Sequence, residues 1–301
     1  MSGASNFVQG VDLTFIIILG ISVFFLVGIT AVMIYFVIRY SRKKNPKATN
    51  IEGNTKLEIL WTVIPLILVL IMFYYGWVGY RPMRQVPEGA IPVKAIGMMW
   101  SWSFEYPNGK KSAELVVPLN KPVKLDLFSR DVLHSLYIPA FRIKEDVVPG
   151  KDNYMWFTAQ ELGEYDLFCA EYCGERHSYM ISKVRVLPET EYEQWLVQSD
   201  IPADEHPGLT LLKQNGCIAC HSLDGSKIVG PSFKGIYGHE AEVITDGKER
   251  KVMVDDEYIL KSIYEPNADV VKGYNPGLMI SYKQQVSEED VKKIVEYIKG
   301  L

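Results

Sequence analysis

Uncharged residues run without a break from Leu13 to Ile38 and again from Ile59 to Tyr80. The first run has 26 residues, enough to cross a bilayer with some tilt. The pattern predicts two transmembrane helices, over about 12–40 and 57–80. A secretory signal is the rival for the first, but it lacks a basic start, a short apolar stretch and a small-residue cleavage site. A buried soluble hairpin is the rival for both, and their length argues against it. Pro65 inside the second run is tolerated in a membrane helix. Trp61 at one end, with Tyr74, Tyr75, Trp77 and Tyr80 at the other, matches aromatic belts. Between the runs stand Arg39, Arg42, Lys43, Lys44, Lys47 and Lys56 against Glu52, a basic loop that stays cytoplasmic. Both chain ends then lie outside.

Beyond Arg81 the texture changes to short, partly alternating runs. They are Ile91 to Ile96, Ala113 to Val117, Val123 to Phe128, Tyr154 to Thr158, Tyr165 to Phe168 and Met180 to Val186. Asn108-Gly109 is a hairpin signal. Several short strands over about a hundred residues predict a Greek-key sandwich. Residues 188–206 are acidic and proline-punctuated, a linker with a short helix over Glu191 to Gln198. Helices follow at Gly208 to Gln214, Asp255 to Tyr264 and Ser287 to Ile298, the last with a capping start at Ser287-Glu288-Glu289-Asp290. The domains are therefore 1–85, a helical hairpin; 86–187, all-β; 188–206, linker; and 207–301, all-α. The net charge of −4 argues against nucleic acid as partner.

The chemistry sits in two clusters that use all four cysteines. In Cys169-Ala170-Glu171-Tyr172-Cys173-Gly174-Glu175-Arg176-His177-Ser178-Tyr179-Met180, thiols, imidazole and thioether suit copper. With His134, two cysteines and two histidines also satisfy tetrahedral zinc, which has little use for Met180. Two thiolates bridging two coppers, each capped by a histidine, use the whole set. A Cys169–Cys173 disulfide is the bland alternative, and it leaves the other donors as coincidence. The second cluster, Cys217-Ile218-Ala219-Cys220-His221, is the C-x-x-C-H signature of covalent haem. A redox-active C-x-x-C leaves His221 without a role.

The pattern C-x-E-x-C-G-x-x-H-x-x-M resembles the CuA loop of cytochrome c oxidase subunit II. Glu58 in E-x-x-W-T-x-x-P, the aromatic run Trp100 to Tyr106, and Arg130 to Gly150 around His134 resemble the same family. Gly230-Pro231 after the haem signature resembles class I cytochromes c. The whole chain resembles a subunit II with a cytochrome c domain fused at its carboxyl end, as in caa-type haem–copper oxidases. The resemblance implies a cupredoxin fold, and a binuclear copper held by His134, Cys169, Glu171 through its carbonyl, Cys173, His177 and Met180. It implies that the Glu171 carboxylate reaches an interfacial magnesium, and that Cys217 and Cys220 bind haem c. His221 is then one axial ligand and Met279 the other, with Met253 as competitor. Trp100 passes electrons inward, and Glu58 lies at a proton-path entrance or is a snorkelling carboxylate. The family has His-Gln where this chain has Met98-Met99.

The implied function is electron transfer from haem to copper and on to subunit I, where oxygen is reduced to water and protons are pumped. The implied partners are subunit I, other oxidase subunits, membrane lipid, and a donor such as a cytochrome c or a quinol:acceptor complex. The alternatives are the copper subunit of a nitric-oxide reductase, or a membrane-anchored copper-delivery protein. A quinol-oxidase subunit is disfavoured, because that branch has lost the copper ligands. Glu145, Asp146, Glu161 and Glu164 are an acidic docking face or, more simply, solvated surface.

Overall fold

The structure, a computed structural model, describes residues 3–47, 50, 52–198 and 205–301. Helices α1 (Val8–Arg39) and α2 (Thr55–Met83) form the amino-terminal hairpin. Their mean hydropathies of 2.8 and 2.3 and their unburied apolar windows suit a lipid surround. Asn54 caps α2, its side chain accepting from the Lys56 and Leu57 amides. Helix α1 starts before the uncharged run because Asp12 is not in lipid: its carboxylate accepts from Arg142 at 2.8 Å.

Ten strands make the middle domain: β1 (Ile91–Met98), β2 (Ser101–Glu105), β3 (Lys111–Ser112), β4 (Leu115–Pro118) and β5 (Pro122–Ser129). They continue as β6 (His134–Ile138), β7 (Ile143–Val147), β8 (Asn153–Thr158), β9 (Gly163–Cys169) and β10 (Ile181–Leu187). One sheet has the order β3-β2-β1-β5-β8, the other β4-β10-β9-β6-β7. The parallel pairs β1–β5 and β4–β10 mark the crossovers of a sandwich. Strand β5 alternates strictly, burying Val123, Leu125 and Leu127 between the sheets.

Both outer ends of the hairpin are fastened to this sandwich. Phe7 packs edge-on to Trp156 at 4.9 Å, and the Ser5 hydroxyl donates to the Phe141 carbonyl. On the α2 side, Arg84 pairs with Glu145 at 2.9 Å and the Trp156 indole donates to the Pro82 carbonyl. Glu145 also accepts from Asn153, and Asp146 accepts from Ser135 and Lys144. Those two carboxylates hold the fold together and are not a free acidic face.

The short helix expected over Glu191 to Gln198 forms as α3 (Glu189–Val197), two residues earlier, with Pro188 at its cap. Its acidic positions face water, while Tyr192 and Trp195, three apart, turn inward. The Trp195 ring meets Tyr106 at 4.8 Å. The helix therefore belongs to the sandwich. The remainder of the linker reading, with Asp200, Pro202 and Asp204, falls in 199–204, outside the described residues.

The carboxyl-terminal domain holds α4 (Pro207–Gln214), β11 (Glu240–Thr245), β12 (Lys248–Met253), α5 (Asp256–Tyr264), β13 (Val270–Val271) and α6 (Glu288–Lys299). Helices α4 and α6 cross against each other, and α6 buries Val291, Ile294, Val295 and Ile298, the one-face spacing of an amphipathic helix. The three-stranded sheet β12-β11-β13 is an addition to the expected all-helical frame. Asp269 pins it, accepting from Arg250 at 2.7 Å and Lys261 at 2.8 Å.

Candidate metal centres

The first centre lies where β6, β9 and β10 end together. Pairing of Leu136 with Cys169 and of Ile181 with Phe168 fixes the three strand ends. The Cys169 amide donates to the Met180 carbonyl at 3.2 Å, and the Ala170 amide to the Ser135 carbonyl at 2.8 Å. These bonds close the loop between Cys169 and Met180 at its base. His134 is supplied by the first residue of β6, fully buried.

Six donors follow one another across the site. His134 Nδ1 lies 3.9 Å from Cys169 Sγ, and Cys169 Sγ lies 3.8 Å from Cys173 Sγ. Cys173 Sγ lies 3.5 Å from His177 Nδ1 and 3.8 Å from Met180 Sδ. The Glu171 carbonyl oxygen stands 3.3 Å from Cys169 Sγ. The donor atoms of His134, Cys169 and Cys173 all lie within 4.8 Å of one another. One tetrahedral zinc uses four donors. This set offers two sulfurs in the middle, one imidazole at each end and one weak donor on each sulfur, which fits a pair of soft ions. The two sulfurs are well beyond the roughly 2.05 Å of a disulfide.

The electrostatics favour releasing one proton from the thiol pair. Burial opposes ionisation of Cys169, but its hydrogen bonds with His134 and the backbone outweigh burial and bring it below the usual thiol range. Burial and the neighbouring Cys169 push Cys173 upward. The two groups titrate as a pair, so the second proton leaves when a cation replaces it.

Asp131 has no place among the sequence-read site residues, yet it organises His134. Its carboxylate sits 2.8 Å from His134 Nε2 and accepts from the Met99 amide at 2.7 Å. Burial alone raises the Asp131 carboxyl, and these bonds more than reverse it. With Nε2–H donating to Asp131, Nδ1 of His134 presents its lone pair to the sulfurs. The spacing of Asp131 three residues before His134 was the available signal.

Trp100 reaches the same loop. Its indole N–H donates to the Cys173 carbonyl at 3.0 Å. A Cβ on Gly174, where φ is +115°, would stand 3.1 Å from the Trp100 ring, so glycine permits the contact twice over. Glu58 is remote from both centres, exposed in the first turn of α2.

The second centre is a cavity of about 360 Å³ in the carboxyl-terminal domain, lined by Cys217, Cys220, His221, Met279 and apolar side chains such as Ile294 and Ile298. His221 Nδ1 donates to the Pro231 carbonyl at 2.7 Å, and its ring stacks on Phe233 at 4.6 Å. That bond fixes the tautomer and leaves Nε2 as the metal-facing nitrogen. Burial lowers the His221 pKa, keeping the imidazole neutral as a ligand must be. A Cβ on Gly230 would stand 2.7 Å from the His221 ring. Two thiols, a neutral imidazole and an apolar cavity beside them fit a covalently attached haem. Met279 is half-buried in the wall, whereas Met253 is 50% exposed on β12. His239 also lines the cavity, and His206 caps α4 by accepting from the Gly208 amide.

A lipid-anchored chain with a thiolate–imidazole sandwich site and a C-x-x-C-H helical domain is a membrane-bound electron-transport protein. The family models divide it the same way. Residues 1–75 match the cytochrome c oxidase subunit II transmembrane domain, 109–187 its periplasmic domain and 206–301 cytochrome c. Cytochrome c oxidase subunit 2 of Alkalihalophilus pseudofirmus is 32% identical over 305 residues, covering 94% of this chain and 85% of that one. The subunit 2 of Cereibacter sphaeroides is 29% identical over 224 residues, covering 61% and 73% respectively. The crystal structure of the periplasmic domain of the Bradyrhizobium japonicum subunit II is 34% identical, with a TM-score of 0.36 over 37% of this chain and 94% of that one. The chain belongs to the cytochrome c oxidase subunit 2 family and carries a cytochrome c domain at its carboxyl end. Membership makes it a subunit of a haem–copper oxidase and implies CuA copper in the sandwich and haem in the last domain.

Proposed function

We propose that this chain is the electron-receiving subunit of a respiratory oxidase, taking electrons on the outer membrane face and delivering them to subunit I. Oxygen reduction to water and proton pumping belong to that partner. Bound in their sites, haem and copper each supply a one-electron couple. The chain's own residues hold and orient them. Cys217, Cys220, His221 and Met279 hold the haem. His134, Cys169, Cys173, His177, Met180 and the Glu171 carbonyl hold the copper pair. Trp100 connects to the copper loop, the Glu171 carboxylate faces a magnesium at the junction with subunit I, and Glu58 stands at the cytoplasmic end of a proton path.

One observation carries this reading: the two donor sets adjoin. Cys220 Sγ lies 3.9 Å from the Met99 carbonyl oxygen, and the next residue, Trp100, bonds the Cys173 carbonyl at 3.0 Å. A sandwich holding a loop from three strand ends also keeps the donors fixed when the charge on the metals changes. A delivery protein needs the opposite, an exchangeable site.

The test is the purified membrane complex supplied with a one-electron donor. Both centres are expected to cycle optically while oxygen is consumed, and mild chelation should leave the copper in place. Consumption of nitric oxide in preference to oxygen would move the chain to a reductase. Copper lost to a mild chelator would indicate delivery.

The Met279 assignment has its own check. Met279→Ala is expected to abolish the methionine-ligated haem spectrum while haem stays covalently attached, and to lower the haem potential. A spectrum unchanged in this variant and lost in Met253→Ala would reverse the assignment.

A further inference from the structure

The segment that carries Met279 is held unevenly. Upstream, β13 pairs with β11, the Lys272 amide donates to the Glu242 carbonyl at 2.9 Å, and the Tyr274 amide donates to the Val271 carbonyl at 3.1 Å. Downstream, the Ser281 hydroxyl donates to the Tyr264 carbonyl at 2.7 Å and the Tyr282 amide to the Ile263 carbonyl at 3.1 Å. Both ends are thus tied to the sheet or to α5. Between them, in 275–280, a single hydrogen bond to the protein occurs among the described residues: the Gly277 amide donates to Asn267 Oδ1 at 2.8 Å. Gly277 has φ +79°, and a Cβ there would meet nothing within 4 Å. The direction of the backbone, not crowding, calls for glycine just before the methionine. Beyond it, Leu278, Met279 and Ile280 are half-buried in the cavity wall.

Asn267 itself stands on a firm base. It follows Pro266 in the turn that leaves α5, where the Glu265 amide donates to the Lys261 carbonyl at 2.7 Å and the Ala268 amide to the Glu265 carbonyl at 2.9 Å. Two residues on, the Asp269 side chain is 5% exposed and is fixed by Arg250 and Lys261. The turn is therefore anchored to α5 on one side and to the three-stranded sheet on the other. We propose that Asn267 is the positioning residue for the sixth haem ligand. Its side-chain oxygen sets where the loop turns at Gly277, and so where the Met279 thioether is presented. This rests on the Met279 reading above and deepens it. A thioether is a weak, neutral donor, so its place is kept by the chain that carries it. A loop with one tether opens in proportion to what that tether contributes. The net effect of one hydrogen bond on such an equilibrium is about 2–10-fold. An added ligand captures the open form, so its apparent affinity follows the open population.

The test uses the assembled, metal-loaded oxidase with imidazole as the probe, titrated against the oxidised c-type haem and read at its absorbance. Asn267→Ala is expected to bind imidazole about 2–10-fold more tightly than the wild type. Asn267→Asp, which keeps an oxygen acceptor at the same reach, is expected to stay within about twofold of it. Met279→Ala gives the limit of an open site and should bind tightest. Amide exchange, followed by mass on the same samples, should quicken across 275–280 in Asn267→Ala while β11 and β13 keep wild-type protection. That readout separates positioning of the loop from support of the whole sheet. Faster exchange across β11 and β13 as well, no rescue by Asn267→Asp, or wild-type affinity in Asn267→Ala beside tight binding in Met279→Ala would each overturn the proposal and leave Met279 as the ligand. Wild-type affinity in Met279→Ala would instead remove the ligand reading, and the positioning role with it.

Discussion

Cys173→Ser is expected to empty the copper site and stop oxidase turnover while the haem spectrum remains. The geometry makes Cys173 the centre of the donor set. Its sulfur is the neighbour of Cys169, His177 and Met180 at 3.8, 3.5 and 3.8 Å, and its carbonyl receives the Trp100 indole. Serine keeps the size but not the thiolate, and a hydroxyl is a poor partner for a soft ion. Losing an outer partner of a ligand typically costs about 10–100-fold in metal affinity or activity. Losing the shared sulfur should exceed that range, so turnover is expected to fall by more than about 100-fold. Copper analysis of the membrane complex, with near-infrared absorbance and oxygen uptake, measures it. Intact copper stoichiometry in this variant would mean that the metals are not bridged through Cys173. Cys217→Ser is the matching control: haem is lost and copper retained.

How much of this was readable beforehand depends on whether the signal was local. Thiolate, imidazole and thioether donors must come at loop spacings to reach the same ions, so Cys169 to Met180 was legible as chemistry. The haem signature was legible for the same reason, since two vinyl groups and one iron fix where Cys217, Cys220 and His221 stand. Hydropathy located the lipid spans but not the helix ends. Helix α1 begins at Val8, a turn before the expected start at about residue 12, because Asp12 lies outside the lipid beside Arg142 on the sandwich. The β11–β12 hairpin was missed although Asp246-Gly247, with φ values of 49° and 76°, is a hairpin turn signal. Its strands alternate weakly: of β11 only Val243 is buried, and β12 is nearly all charged or exposed. Helix α3 was legible over Glu191 to Gln198, but its acidic face hid that Tyr192 and Trp195 join it to the sandwich. The contact of Met98 with Tyr282 spans 184 residues of chain, and no local pattern in the sequence encodes it.

Gly208→Ala is expected to unlock the cytochrome domain. Two effects oppose each other at this position. Alanine is the better helix former, by up to about 1 kcal/mol in a helix interior and less here at the second residue of α4. Against it, the new Cβ would lie 2.2 Å from the Lys293 carbonyl oxygen and 2.7 Å from Tyr297 Cβ. The first of these is backbone in the middle of α6, which cannot swing aside like a side chain. Relief requires α4 and α6 to separate, and overpacking of this kind costs about 3 kcal/mol at the upper end of its usual range. The packing term wins, with a net loss of about 2 kcal/mol. For a domain of this size the haem-domain melting temperature should drop by roughly 8–16 °C. Because α4 leads directly into Gly216 and the haem cysteines, separation of the helices also loosens the wall of the haem cavity formed by Leu212 and Ile294. The drop should therefore appear in a thermal scan followed at the haem absorbance of the full chain, with the copper-domain transition unmoved. A melting temperature within about two degrees of wild type would show that α4 can shift along α6 without loss. The close crossing of these helices would then not be what holds the haem domain together.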